Sequence, residues 1–364
     1  MTADSAERPP PTPQQAQVAL EQALFEIRRI IAGQDAMLER VLVCLLAQGH
    51  LLIEGSRDVE TDLGRLADVA SWLAYEELPK PAQMLPVRLD GSREETIDFV
   101  LVAGSLNFAY TDFKTRQRWD LVVDGRAYAD ADGLHVALHR ALGEGVPVLE
   151  GSWLQSVTAV DLRRLLRGGT RELQMLDERA AILREVGETL VAKYDGRFSN
   201  VLASSSTAVY DEGRGFLEIL TRDFPRFHDV ADWQGQEVRF WKLAQLAVWF
   251  LELTLPGGLG FRDLDRLTAF ADYIVPAALR VMGVLRYSAG LDRAIARGEL
   301  IEAGSAWEVE LRAHTIYATA LLCDRVNELR PLELRVIVPQ IDARLWVPFH
   351  KAHLPHHLTR TIYY

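Results

Sequence analysis

The sequence predicts a mainly α-helical protein with one small β-hairpin. Apolar residues recur at a period near 3.6 through most of the chain, the spacing of helices that bury one face. The hairpin is predicted at residues 119–129, where Leu121, Val123 and Tyr128 alternate around a central Asp-Gly turn. The segments with helical spacing are residues 59–77, 133–142, 161–166, 178–194, 216–223, 238–255, 265–284 and 306–327.

The composition is that of a globular intracellular protein. Of 364 residues, 49% are hydrophobic and 25% are charged, and the formal net charge is -11. This acidic excess disfavours binding to duplex nucleic acid, which needs clustered lysine and arginine. Cys44 and Cys323 supply neither a disulfide framework nor a zinc pattern, which predicts a cytoplasmic protein. The most apolar run, residues 246–255, contains Glu252 and is too short to span a membrane.

The sequence lacks the common motifs for metals and cofactors. His135 and His139 have the spacing of half a metal site on a helix, but no third ligand is evident. Residues 257–260 form a glycine-rich turn, yet no strand precedes them as a dinucleotide fingerprint requires. We therefore predict neither a metal nor a cofactor.

The first 55 residues differ from the rest of the chain. Residues 1–15 contain four prolines and little that could be buried, which predicts a disordered tail. Residues 16–55 contain two helical segments and the run His50-Leu-Leu-Ile-Glu-Gly55, an order that resembles the opening of the MoxR-type AAA+ ATPases up to their first strand. Residues 55–62 lack the closing Gly-Lys-Ser/Thr of a phosphate loop, so ATP hydrolysis is not predicted. Residues 56–364 are predicted to form one mostly helical domain.

A polar stripe runs along the helix predicted at residues 238–255. It consists of Lys242, Gln245, Trp249 and Glu252. The other sides of this helix are almost wholly apolar, which predicts burial on most sides. Such a stripe either lines a cavity or faces solvent, and the spacing does not decide between the two.

Three aspartates follow in an otherwise apolar segment. Asp263 precedes the helix predicted at residues 265–284, and Asp265 lies in its first turn, where aspartate commonly caps a helix. Asp272 lies in the turn before Pro276, which predicts a kinked helix with an internal acid. Each carboxylate therefore either satisfies the local backbone or takes part in chemistry.

The C-terminal part of the chain contains a charge pair and an apolar end. Glu308 and Arg312 lie four residues apart on the helix predicted at residues 306–327, the spacing of a helix salt bridge. The chain ends in Ile-Tyr-Tyr, which is too apolar to prefer water. We therefore expect the last residues to dock on the body and to bring His357 and Arg360 with them.

Six motifs occur in the order found in one protein family. They are Gly104-Ser-Leu-Asn-Phe108, Arg140-Ala-Leu-Gly-Glu-Gly-Val-Pro147, Phe240-Trp-Lys-Leu-Ala-Gln245, Phe270-Ala-Asp-Tyr-Ile-Val-Pro276, Glu308-Val-Glu-Leu-Arg312 and His357-Leu-Thr-Arg-Thr-Ile-Tyr-Tyr364. Together they resemble the queuosine salvage family, the queuosine 5′-phosphate N-glycosylases, over residues 57–364. The resemblance implies a mainly helical fold related to the DNA glycosylases and hydrolysis of queuosine 5′-monophosphate, which releases queuine.

The resemblance also implies the residues of a site. The catalytic aspartate of the family falls on Asp263, and a carboxylate there would stabilise the oxocarbenium character that builds on the ribose. Lys242, His357 and Arg360 are candidates for the 5′-phosphate. The full set of predicted substrate-binding residues is Lys242, Phe270, Asp272, Tyr273, Glu308, Arg312, Asp342, His357, Arg360 and Tyr364.

Two other classes of function stay open at this point. Residues 253–265 place a Leu-Pro-Gly-Gly-x-Gly segment between two predicted helices. This arrangement would suit a glycosylase-like protein that binds DNA or RNA. Residues 16–55 alone would suit a non-catalytic partner of an AAA+ ATPase. We favour the enzyme, with a small nucleotide as its partner and with neither duplex nucleic acid nor a membrane.

Overall fold

Helices account for most of the chain in the computed structural model, and short two-stranded sheets lie between them. The structure describes residues 52–78, 80, 85–352 and 354–364. The predictions for residues 1–15 and for most of residues 16–55 lie outside this part. Residues 55–364 form one compact unit, in which the prediction of a mainly α-helical fold is confirmed.

The elements follow one another in this order. The helices are α1 (Leu52–Gly55), α2 (Leu63–Leu73), α3 (Arg93–Ser105), α4 (Asp130–Gly143), α5 (Gly151–Leu154), α6 (Ala159–Leu165), α7 (Leu176–Lys193), α8 (Phe198–Ser204), α9 (Phe216–Asp223), α10 (Lys242–Thr254), α11 (Ile274–Val281), α12 (Ala289–Arg297), α13 (Ala306–Glu328) and α14 (Val338–Ala352). The strands are β1 (Val59–Thr61), β2 (Asp120–Val123), β3 (Arg126–Ala129), β4 (Val230–Trp233), β5 (Gln236–Arg239), β6 (Leu285–Tyr287), β7 (Leu300–Ile301) and β8 (Leu358–Thr359). Antiparallel pairs join β1 to β6, β2 to β3 and β4 to β5, and β7 pairs with β8 in parallel. No helix in the described part is both long and apolar enough to cross a membrane.

Two apolar cores hold the fold together. The first is formed mainly by α3, α4, α7 and α10 and includes the buried rings of Trp119 and Trp249. The second is formed mainly by α2, α11, α13 and α14. Phe270 belongs to the first core and Val275 to the second, so the segment between them crosses from one core to the other. Asp272 lies in this segment, where a carboxylate is costly unless it is paired.

The hairpin predicted at residues 119–129 is confirmed as β2 and β3. Asp124 and Gly125 connect the strands and have φ of 50° and 76°. A two-residue hairpin turn of this kind needs a positive φ at both central positions, which aspartate and glycine tolerate.

A second hairpin, formed by β4 and β5, was not predicted. Its turn contains Gln234 and Gly235, with φ of 53° and 82°. It occupies the start of the helix predicted at residues 238–255, so that α10 begins only at Lys242. Because the hairpin ends at Arg239, Lys242 becomes the first residue of α10.

Two predicted helices are wrong over part of their length. The prediction at residues 59–77 is confirmed only for Leu63–Leu73, because residues 59–61 pair with β6 and residues 74–77 are not helical. The prediction at residues 265–284 fails over its first half, where a 3₁₀ turn at Leu264–Arg266 is followed by extended chain. The run at residues 50–55, in the place of a strand in the AAA+ resemblance, ends in the helical turn α1.

Asp272 explains why α11 begins late. Its Oδ1 accepts the backbone N–H groups of Ile274 and Val275, at 2.7 and 3.1 Å, so the side chain caps the helix instead of lying within it. Pro276 then lies in the first turn of α11. Backbone N–H groups in a first turn have no partner within the helix, so the missing N–H of proline costs no helix hydrogen bond there. The predicted kink is therefore wrong.

The C-terminal residues dock on the body, as predicted. Residues 358–359 form β8 beside β7, and the backbone oxygen of Tyr364 accepts the N–H group of Ala109 at 3.0 Å. Tyr364 is 3% exposed. The docked segment therefore brings His357 and Tyr364 into the interior, close to α13.

Glu310 anchors the beginning of β1. It lies on α13 and is 1% exposed, and its carboxylate accepts the backbone N–H groups of Arg57, Asp58 and Val59 at 2.7 to 3.1 Å. An anion is well suited to three converging N–H groups, because each donor meets an acceptor. This contact attaches the start of the domain to its longest helix.

We expect Glu310→Gln to lower the free energy of unfolding by about 2–3 kcal/mol, because the carboxamide turns an N–H group toward three donors. Urea denaturation at pH 7 measures the change. Glu328→Gln is the matched control, since Glu328 lies at the end of the same helix, is exposed and pairs only with Arg325 in the described part of the chain. There we expect a loss below about 0.5 kcal/mol. Equal losses in both variants would contradict an anchoring role for Glu310.

Candidate active site

Lys242 is the first residue of α10 and is 6% exposed. Its ammonium makes no hydrogen bond or ion pair with any residue that the structure describes, although its backbone N–H is bonded. Burial lowers the pKa of Lys242 to about 8, against the opposing charges of Asp272 and Asp342. Gln245 and Trp249 of the same stripe are also buried. The solvent-face alternative is therefore wrong for these three stripe residues.

Asp272 accepts three hydrogen bonds and is 7% exposed. Two come from the backbone at the start of α11. The third comes from the indole Nε1 of Trp346, 2.8 Å from Oδ2. These donors and the partial positive charge at the beginning of a helix stabilise the carboxylate anion. Asp272 thus satisfies the local backbone, one of the two roles predicted for it, and its charge also favours the ammonium of Lys242.

Asp342 is the second buried carboxyl group beside Lys242. It lies on α14 and is 3% exposed, and its Oδ2 accepts the backbone N–H of Phe270 at 2.9 Å. Its Oδ1 accepts no hydrogen bond from a described residue. Burial and the charge of Asp272 raise the pKa of Asp342 well above its usual range. The site therefore favours a protonated carboxyl group at Asp342.

Arg312, on α13, pairs with two further carboxylates. Its Nη1 and Nη2 donate to the two oxygens of Asp229 at 2.9 and 2.5 Å, and Nη1 also lies 3.4 Å from Glu308. The predicted helix pair of Glu308 and Arg312 is confirmed. The hydroxyl of Tyr364 donates to Glu308 at 2.9 Å and so connects the docked C-terminal segment to this network.

Histidine and tyrosine rings border the charged groups. The ring of Tyr273 stacks on His356 with centroids 4.3 Å apart. His357 meets Tyr364 edge to face, with centroids 5.7 Å apart. Burial lowers the pKa of His357 to about 3, so its imidazole is neutral at physiological pH. His357 can therefore offer a neutral hydrogen bond to a phosphate, and it brings no positive charge.

Asp263 lies outside this cluster of contacts. Its Oδ1 accepts the N–H of Val209 at 2.7 Å, and its Oδ2 accepts the N–H of Tyr210 at 3.0 Å. Arg266 lies 3.6 Å from the same carboxylate. The side chain makes no helix-capping bond, so the capping alternative is wrong. Asp263 instead fixes the loop at residues 209–210, and its catalytic role stays a prediction.

Two other predicted positions face solvent. Arg360 pairs with Glu178, and its side chain is 60% exposed. Asp265 is exposed in the 3₁₀ turn that follows Asp263. The structure therefore does not bring Arg360 to the buried charges. Those it does bring together are Lys242, Phe270, Asp272, Tyr273, Glu308, Arg312, Asp342, His357 and Tyr364.

Comparison with known protein families decides the relationship of this chain. Residues 87–364 match the family described as queuosine salvage protein. The chain belongs to this family. It is similar to the queuosine 5′-phosphate N-glycosylase/hydrolase of Sphaerobacter thermophilus, with 37% identity over 329 residues, which cover 88% of this chain and 97% of that protein. The protein of the same name from Bos taurus is 30% identical over 335 residues, 86% of this chain and 96% of that protein.

This member of the queuosine salvage family also shares a short stretch with a different protein. The chaperone MoxR1 of Mycobacterium tuberculosis is 34% identical over 99 residues, which are 26% of each chain. This agrees with the resemblance to MoxR-type ATPases predicted for the N-terminal part of the sequence.

Proposed function

We propose that this chain hydrolyses the N-glycosidic bond of queuosine 5′-phosphate and releases queuine, and that the reaction takes place beside Lys242, Asp272 and Asp342. The names of the relatives supply the substrate. One observation supports this location of the active site. The ammonium of Lys242 is buried without a hydrogen-bonding partner in the described chain, and two buried carboxyl groups, Asp272 and Asp342, act on it. An unpaired charged group is costly to bury, and a buried group of this kind marks a candidate functional site.

The reaction needs a negative group close to the sugar. The bond between C1′ and the base nitrogen breaks, and its electron pair leaves with the base. The ribose then carries oxocarbenium character until the oxygen of water bonds to C1′. The anion of Asp272 stabilises this positive charge, and it can accept the proton that the water loses.

The departing base needs a proton. Queuine is a 7-deazaguanine with carbon in place of N7, so the usual protonation site of a leaving purine is missing. Asp342 favours its protonated form. It can therefore donate a proton, or a hydrogen bond, to the base, while Asp272 acts at the sugar. Carboxyl groups in different environments commonly divide acid and base roles in this way.

Lys242 supplies the positive charge that the substrate requires. Its ammonium carries three N–H donors, and none is used by a described residue. A donor of this kind suits an oxygen of the ribose or of the 5′-phosphate. The neutral His357 and the exposed Arg360 are weaker candidates for the phosphate.

We favour Asp272 over Asp263 for the catalytic carboxylate. Both oxygens of Asp263 accept backbone N–H groups of a neighbouring loop, and Arg266 pairs with it. Asp263 is not among the charged groups that act on Lys242, whereas Asp272 has the largest effect of those groups. Both oxygens of Asp272 also accept hydrogen bonds, so its charge interaction with Lys242 is what favours it over Asp263.

Incubation of the purified protein with queuosine 5′-monophosphate tests the function. Free queuine is followed by mass spectrometry, and we expect catalytic release without added metal or cofactor. The comparison substrate is guanosine 5′-monophosphate, which keeps the ribose phosphate, lacks the aminomethyl side chain of queuine and has nitrogen at position 7. No release from queuosine 5′-monophosphate would overturn the proposed function, and equal release from both nucleotides would overturn the substrate.

A further inference from the structure

Asp229 is a buried residue to which the proposed chemistry assigns no role. It is 1% exposed and precedes β4. Its carboxylate accepts both Nη groups of Arg312 in a two-pronged ion pair. Neither helical spacing nor a motif points to Asp229 in the sequence, because it lies between the 3₁₀ turn at Pro225–Phe227 and β4.

Asp229 also fixes the backbone that leads into Lys242. Its carbonyl oxygen accepts the N–H groups of Phe240 and Trp241, both at 3.0 Å, and its Oδ2 accepts the N–H of Lys242 at 3.2 Å. Trp241 has φ of 46° and ψ of 34°, a left-handed conformation that a bulky residue rarely adopts. Such a conformation persists only where surrounding contacts impose it. Three hydrogen bonds to one aspartate provide those contacts.

Arg312 extends the same network to the other side of the site. Its Nε donates to the backbone oxygen of Ala271 at 3.1 Å, and Ala271 directly precedes Asp272. The guanidinium lies between two aromatic rings, 3.9 Å from the centroid of Phe240 and 4.8 Å from that of Tyr364. Arg312 therefore touches the segment that carries Asp272, while its partner Asp229 touches the segment that carries Lys242.

The donors of Arg312 are nearly all used within the protein. A guanidinium has five N–H groups. Asp229, Glu308 and Ala271 accept four hydrogen bonds from it, and aromatic rings cover its faces. Little of Arg312 is left for a substrate, in contrast to the ammonium of Lys242.

We propose that Asp229 and Arg312 are a positioning pair, which fixes the distance between the Lys242 and Asp272 side chains through their backbones. Neither residue needs to touch the substrate. The expected effect on kcat rests on the proposed function, whereas the positioning of Lys242 and Asp272 does not. The pair connects the backbone at the start of α10 with Ala271, and Gln245 of α10 makes a separate connection to Thr268.

Arg312→Lys and Asp229→Asn test the kinetic consequence. Lysine keeps the charge but cannot reach Asp229 and Ala271 together, and asparagine keeps the shape but loses the charge. We expect kcat with queuosine 5′-monophosphate to fall about 100-fold in each variant, with KM within about threefold, because misplaced groups slow the chemical step. The double variant should lose no more than about threefold beyond the single variants, since both remove one connection.

Arg344→Lys is the control, because it shows how much kcat changes when a two-pronged arginine–carboxylate ion pair is lost elsewhere in the domain. Arg344 makes a two-pronged ion pair with Glu76 at 2.6 and 3.0 Å, and it is not among the charged groups that act on Lys242. We expect less than a twofold change in kcat there. A raised KM with unchanged kcat in Arg312→Lys would overturn the proposal, since it would mean that Arg312 binds the substrate. An equal loss of kcat in Arg344→Lys would also overturn it.

A second measurement needs no activity. The chain has five lysines, so side-chain NMR of protein with isotope-labelled lysine can follow Lys242 through a pH titration. The charges of Asp272 and Asp342 favour the ammonium of Lys242, and those of Arg226 and Arg312 oppose it. In Asp229→Asn, Arg312 loses one negative partner, so the midpoint of Lys242 should fall while Lys193 is unchanged.

The two measurements separate failure of the inference from failure of the function. A wild-type protein that releases no queuine, but whose Lys242 midpoint falls in Asp229→Asn, would support the pair and overturn the substrate. An active protein whose Lys242 resonance and midpoint are the same in Asp229→Asn, Arg312→Lys and wild type would overturn the pair. If Asp229→Asn does not fold, Arg312→Lys decides both measurements.

Discussion

Asp272→Asn is expected to lower kcat for queuine release about 1000-fold, the loss typical of removing a charged group that acts on the transition state. Asparagine has the size of aspartate but no negative charge for an oxocarbenium-like ribose. It also cannot accept a proton from the attacking water. KM should change much less, because the substrate itself carries no positive charge at C1′.

The fold should survive this substitution. Asparagine caps helices about as well as aspartate, so the N–H groups of Ile274 and Val275 keep an acceptor, and the indole N–H of Trp346 loses its own. A thermal midpoint within a few degrees of wild type would show this. Asp263→Asn is the matched control, and we expect kcat within about fivefold of wild type together with a lower midpoint, since Asp263 holds the loop at residues 209–210. A larger kcat loss in Asp263→Asn than in Asp272→Asn would reverse the assignment.

Lys242→Met is expected to lower kcat/KM about 100-fold at pH 7, because methionine keeps the apolar stem and removes the donors and the charge. In the wild-type protein the pKa of Lys242 is lowered by burial to about 8. Activity that needs the ammonium should therefore fall as the pH rises through about 8, and the variant should lack this decline. Lys193→Met is the control, since Lys193 is half exposed and pairs with Asp223, and its pH profile should match that of wild type.

The same substitution should stabilise the fold. Lys242 has a lower pKa in the folded protein than the 10.5 of a free lysine, so its charged form opposes folding. This cost is fully present below pH 8 and is relieved as the pH rises from about 8 toward 10.5. Urea denaturation at pH 7 should give Lys242→Met a higher free energy of unfolding by about 2 kcal/mol, and the gain should shrink above pH 8. A less stable variant at pH 7 would mean that Lys242 is paired in the folded protein.

The sequence predicted the elements whose signals are local. The hairpin of β2 and β3 follows from Asp124-Gly125 between alternating residues, and α9 and α13 follow from their apolar spacing. The docking of the C-terminal residues follows from an apolar end. In each of these cases the residues that determine the structure are neighbours in the sequence, so a pattern along the chain can identify them.

The errors have a common physical cause, which is tertiary contact. Apolar spacing runs through Asp272, yet its carboxylate is bonded to Trp346 and caps α11, so the predicted helix breaks there. Asp263 has the local appearance of a helix cap, whereas its oxygens bind a loop more than fifty residues earlier in the chain. Asp229 gives no local signal, and its role depends on Arg312, 83 residues away. The resemblance identified the family, while the geometry decides which acid we favour within the site.

The most direct test of the account is one assay of queuine release from queuosine 5′-monophosphate by wild type, Asp272→Asn and Asp263→Asn at equal concentration and pH 7. Single-turnover rates, followed by mass spectrometry, separate chemistry from product release. We predict rapid release by wild type, release within about fivefold of it by Asp263→Asn, and a rate about 1000-fold lower for Asp272→Asn. Release by Asp272→Asn at the wild-type rate, with the protein folded, would contradict a reaction beside Lys242, Asp272 and Asp342.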